Sequence, residues 1–109
     1  MSKLIDSVVQ HFSNLGVREI EVPEWEATLY VKNLTIEDKA KLNSRSQDDI
    51  HDYMVYAIIF GVVDSEGNPV FDIGDKVKLR RHASSAVVER VANEVLAFQT
   101  QSEEDREKN

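Results

Sequence analysis

The chain has 109 residues, 41% of them hydrophobic and 30% charged, with a formal net charge of −7 and no cysteine. That length makes one domain, able to bury roughly 65% of its unfolded surface without cross-links. Disulfides, thiolate metal sites and cysteine nucleophiles are excluded, and the acidic balance repels phosphate backbones over most of the surface.

Ser2 is placed to cap a first helix in which Leu4, Ile5, Val8, Val9, Phe12 and Leu15 form one apolar face, with Gly16 as its stop. Asp6 and His11 interrupt the apolar pattern and no small-residue cleavage site follows, so no secretory signal is expected. His11 lies beside the apolar face without ligand-type neighbours and reads as a surface histidine. Residues 17–22 and 25–32 then alternate: Trp25, Ala27, Leu29 and Val31 point one way, Glu26, Thr28, Tyr30 and Lys32 the other. Pro23 and Glu24 separate the two runs, which makes an antiparallel hairpin the simplest arrangement. A lone hairpin is marginal in water, so it must lie on helices. Trp25, the single tryptophan, reads as an anchor between hairpin and helices or as a partner-facing hot spot.

Thr35 is a good N-cap for a short, mostly polar helix over 36–42, followed by a loop at 43–47. Ser46 or Asp48 then caps a central helix. Its core, residues 53–63, carries no charge at all. Ile50, Met54, Ala57, Ile58 and Gly61 make one face, and Tyr53, Val55, Ile59, Phe60 and Val62 cover most of the rest. A helix apolar nearly all round must be covered on several sides. It is also far short of the roughly 20 residues that cross a bilayer. Residues 64–69 (DSEGNP) form a dense turn signal, with Asp64 and Gly67 suited to a reverse turn, before Val70 and Phe71 return to the interior.

Asp72 can cap a further short helix over 73–79, in which Gly74 costs about 1 kcal/mol. Ser84 or Ser85 starts the last helix, with Val87, Val88, Val91, Ala92, Val95 and Leu96 at helical spacing and Phe98 extending the stripe. Residues 100–109 contain no apolar side chain. Ordering them would cost roughly 10–20 kcal/mol of backbone entropy with no burial in return, so a flexible acidic tail is expected after a domain spanning 1–99. The expected fold is α+β and mostly α-helical: four or five helices around the central buried helix, with a small antiparallel β-hairpin near the N-terminus.

Asp48, His51 and Asp52 make the best metal-like cluster, sharing one helical face, yet no further ligands converge on them by spacing, and an acidic helix start explains them. Residues 64–68 faintly resemble a calcium loop, but Ile73 stands where its closing glutamate belongs. The one basic stretch holds Lys76, Lys78, Arg80 and Arg81, ahead of His82. It suits an acidic protein partner or another copy, with a small nucleic-acid-binding regulator as the alternative. There is no glycine-rich phosphate loop or nucleophile elbow, and no carboxylate pair is set in an evident pocket. Neither enzymatic activity nor a cofactor is expected.

The segments VPEW (22–25), LYVKNLT (29–35) and VDSEGNPVF (63–71), with Ala57 to Gly61 before the last, Leu79, the 84–96 helix and the acidic 103–109 end, occur in an order and spacing that resemble one family. That family is the tail assembly chaperones of long-tailed phages with flexible, non-contractile tails, and the likeness runs from about Val22 onward. It implies a non-enzymatic chaperone of the infected or lysogenic bacterial cytoplasm, absent from the finished virion. Such a protein binds the helical tape measure protein, keeps it soluble, and helps recruit the major tail protein. It also implies self-association and a longer version made by a programmed frameshift, here near Lys108 and Asn109. No nucleic-acid or membrane partner is implied. Contacts with partners are expected at Trp25, Tyr30, Phe98 and the cations Lys76, Lys78, Arg80 and Arg81, with Pro23, Asp64, Gly67 and Phe71 as structural marks of the family motif.

Overall fold

The computed structural model describes residues 3–107, and side-chain surroundings within residues 3–99. The elements in order are α1 (Lys3–Leu15), β1 (Val17–Val22), β2 (Ala27–Lys32), α2 (Ile36–Ser46), α3 (Ile50–Gly61), β3 (Val62–Val63), α4 (Lys76–His82) and α5 (Ser85–Glu107). The fold is α+β and mostly helical, as the patterning predicts. The Ser2 cap and the frameshift position at Lys108 and Asn109 lie outside the described residues.

The hairpin pairs β1 with β2 from Val17 opposite Lys32 to Val22 opposite Ala27. Trp25 is not in the strand, as its alternation suggested: residues Pro23–Trp25 form a single 3₁₀ turn. Proline supplies the fixed φ of the turn's first position. Glu26 closes it in a left-handed conformation (φ 51°), its N–H donating to the Pro23 carbonyl. A third strand, which the apolar run concealed, completes the sheet. Val62 and Val63 leave α3 without a linker and pair antiparallel with Val31 and Tyr30. Ile20, Val22, Leu29 and Val31 are buried on the sheet's inner face, and α5 packs against both strands, with Val91 beside Ile20 and Val22.

α3 packs on α5 and is flanked by α2 and α4. Val55 to Ile59 and Gly61 are all buried, so the central helix is the buried axis. Ile50 is the exception to its expected face, 62% exposed because it opens the first turn at the solvent edge. The cap is Asp49, rather than Ser46 or Asp48; one carboxylate oxygen accepts from the His51 and Asp52 N–H groups at 2.9 and 3.1 Å. The expected loop at 43–47 is mostly helix. α2 runs through Ser46, fixed at its start by a reciprocal box between Thr35 and Asp38. Gln47 and Asp48, both left-handed, then turn the chain into α3.

Gly74 carries no helix-interior cost, since it sits in a 3₁₀ turn (Ile73–Asp75) ahead of α4. α5 continues past Phe98 through residues 100–107, the stretch expected to form a tail. No helix among the described residues is long and apolar enough to cross a membrane. α1 stands apart: none of its residues is buried, and it packs extensively against no other element.

Candidate interaction surface

The turn after β3 is built from its own polar groups. The Asp64 carboxylate accepts from the Glu66 and Asn68 N–H groups at 2.8 and 3.0 Å, and these bonds hold its pKa below the ordinary value. The Asp64 N–H donates to the Asn68 carbonyl at 2.8 Å, while Gly67 takes φ +89°. Only glycine enters that region without strain. Pro69 then bridges back to Val63, and the chain delivers Phe71 to the surface beside Trp25. Their rings meet edge to face, centroids 6.1 Å apart at 78°.

Phe71 lies where two depressions meet. One, of about 260 Å³, is lined by Trp25, Phe71, Asp75, Lys78, Leu79, His82 and Ala83. The other, of about 530 Å³, has Ile59, Phe60, Pro69 and Ile73 on its apolar walls and Lys32, Asp38 and Asp72 on its rim. The result is an apolar strip from Phe60 over Phe71 to Trp25, edged by both signs of charge. Such a strip suits an amphipathic helix with apolar anchors at helical spacing. Trp25, Lys78 and Phe71 are brought together here.

The basic stretch divides by helix face. Lys76 and Arg80, four residues apart, point toward α3. Lys76 Nζ lies 3.2 Å from Asp52 and 5.3 Å from the Tyr56 ring centroid. Its pKa is raised, chiefly by the Asp52 hydrogen bond. Arg80 hydrogen-bonds Asp52 and sits 3.6 Å from Asp49. Two of the four cations are therefore committed inside the molecule. Lys78 and Arg81 face outward and form no ion pair among the described residues. That division removes half of the charge on which the nucleic-acid reading rests. Asp52, one member of the metal-like trio, is taken up by these two cations. No group of three potential ligands clusters among the described residues.

Tyr30 pairs with Glu19 and Val63 on the sheet face opposite Leu29 and Val31, and it lines neither depression. Phe98 is partly buried and packs against the core. What the residue pattern did not single out is the pair of clamps that set the hairpin on α5. Arg90 grips Glu24 with two bonds of 2.9 and 2.7 Å. The Gln99 amide accepts from the Leu34 N–H at 2.8 Å and donates to the Lys32 carbonyl at 2.9 Å. Neither is signalled locally, since the partners are 65 to 67 positions apart.

No protein-family model matches the chain. No curated protein matches it either. Among solved structures, the bacteriophage HK97 tail assembly chaperone superposes with a TM-score of 0.56 at 17% identity, over 75% of this chain and 83% of that one. Over three quarters of its length the chain thus shares the fold of that tail assembly chaperone.

Proposed function

We propose that this protein is a non-enzymatic tail assembly chaperone. The observation that carries the reading is the fold shared with the HK97 chaperone, found for a chain whose motif order already resembles that family. The client is a helical tape measure protein, which the chaperone keeps soluble while major tail protein is recruited around it. The apolar strip over Phe71 is the seat for one client helix. Its anchors are Trp25, Phe60 and Ile73, and Lys78 and Arg81 meet acidic positions on the helix flank. Several copies act on one long client, so the protein self-associates. A frameshifted longer version and residence in the host cytoplasm, outside the finished virion, belong to the same reading.

Co-expression with the tape measure protein of the same phage tests it. The client should move from the insoluble to the soluble fraction and co-purify with the chaperone. A client equally soluble without it, and absent from the purified material, would end the proposal.

A further inference from the structure

β1 is an outer strand of the sheet: β2 lies on one side of it, and no strand lies on the other among the described residues. An edge strand turns half of its backbone N–H and C=O groups away from its neighbour, which makes it a template for a further strand. We infer that β1 receives an extended segment of a partner protein, one that alternates basic and apolar residues and adds a fourth strand to the sheet.

Charge and surface relief select that occupant. Along β1 the side chains alternate, with Ile20 and Val22 buried and Glu19 and Glu21 exposed on the opposite face. Neither glutamate forms an ion pair among the described residues, and the residues across from them on β2 are Tyr30 and Thr28. Between β1 and α5 lies a depression of about 210 Å³, with Ile20, Val22 and Val91 as its apolar lining and Glu21, Arg90 and Glu94 at its rim. No residue of β2 reaches it, so it opens along the outer margin of β1. Its rim is held by two ion pairs, Arg90 with Glu24 at 2.7 Å and Glu94 with Arg18 at 3.4 Å. A strand laid beside β1 therefore sends alternate side chains into two environments. Those on the face of Glu19 and Glu21 meet carboxylates without a cation and should be lysine or arginine. The side chain between them falls over the depression and should be apolar, of valine or leucine size. Main-chain bonds supply the affinity, and this alternation supplies the selection. The same charges disfavour a second β1. Two copies paired antiparallel about Ile20, with their helices on one side, set Glu19 of each against Glu21 of the other. None of the six residues lines the depressions beside Phe71, so this edge and the client seat are separate surfaces.

The full chain is titrated with a capped peptide of about eight residues alternating lysine and valine, long enough to match one strand, and followed by backbone amide resonances and hydrogen exchange. Shifts should centre on residues 19–22, and the outward amides there should exchange at least tenfold more slowly at saturation. Proline in place of a central valine keeps the peptide's charge but removes a strand donor, and should weaken binding at least tenfold. Glu19→Lys plus Glu21→Lys, both on the exposed face, should weaken the lysine peptide at least tenfold and capture the same peptide with glutamate in place of lysine. A misfolded variant could not show that exchange of preference. Equal binding of the proline peptide, shifts scattered over the acidic surface, or no binding by the wild type at millimolar peptide would overturn the inference. So would a double variant that keeps the wild-type preference or binds neither peptide. Protection of β1 that grows with protein concentration in the absence of peptide would assign the edge to a second copy and overturn it too.

Discussion

Gly61 of α3 lies against Val95 of α5 so closely that a Cβ on the glycine would overlap Val95 Cγ1 and sit 3.2 Å from Cγ2. Both residues are buried, and nothing nearby is free to retreat. Gly61→Ala gains up to about 1 kcal/mol in helix propensity and loses roughly 1–3 kcal/mol to overpacking. The net effect should be destabilising, read as a fall in melting temperature of several degrees. Combining it with Val95→Ala should recover part of the loss relative to the two single effects added, which a double-mutant cycle measures.

The Arg90 bonds hold the Glu24 carboxyl at a pKa of about 2, against 4.5 ordinarily. A depressed carboxylate contributes stability that is fully present above its unfolded pKa and is lost as pH falls through the folded one. The melting temperatures of wild type and Glu24→Gln should therefore differ by a constant amount at neutral pH. The gap should narrow below pH about 4.5 and close near pH 2. A gap that persists at the acid end would mean that the pair is not its source.

Arg80 and Arg81 are neighbours in sequence with opposite expected phenotypes. Arg80→Glu sets a carboxylate against Asp52 and Asp49, and should cost roughly 1–2 kcal/mol. Arg81→Glu should stay within about 0.5 kcal/mol of wild type, while weakening client capture more at low salt than at high salt. Thermal melts and pull-downs at two salt concentrations separate the two.

Gln99→Ala removes the side chain that satisfies the Leu34 N–H and the Lys32 carbonyl. Leaving partly buried backbone groups unpaired costs about 1–3 kcal/mol, or roughly 4–8 °C of melting temperature per kcal/mol for a domain near this size. Faster amide exchange at Leu34 should accompany it. Unchanged exchange there would show that water replaces the amide.

Trp25 is the single tryptophan and stands beside the proposed client seat. Its emission should shift to the blue when a tape measure helix covers it. Phe71→Ala should weaken that response at least tenfold while the domain remains folded, because Phe71 is only partly buried.

The elements that were legible in the sequence are those whose signals are local. The α5 stripe, the Thr35 cap, the β1 and β2 alternation and the Gly67 turn all follow from period or backbone chemistry within a few residues. The misplacements share another cause. Val62 and Val63 carry no mark distinguishing the end of an apolar helix from two strand residues; only pairing with Tyr30 and Val31 decides it. Trp25 fits the alternation by residue type, but Pro23 imposes a turn on the three residues it opens. At the candidate surface, Lys78 was legible as an exposed cation, while Trp25 stayed open between core anchor and partner contact. The commitment of Lys76 and Arg80 to Asp52 was not, because it depends on how α4 docks on α3. The apolar face of α1 was visible from its spacing, whereas its exposure in the folded domain was not.

The direct passage from Gly61 to Val62 has a consequence for how the molecule opens. With no linker between α3 and β3, the helix cannot leave α5 unless the sheet also gives up its third strand. Hydrogen exchange should therefore find the amides of α3, β3 and central β2 opening together, at or near the rate of global unfolding. α1, which lends nothing to that unit, should exchange orders of magnitude faster. Ile59 and Phe60 lie in that unit, so the floor of the proposed client seat should stay assembled through every opening short of complete unfolding.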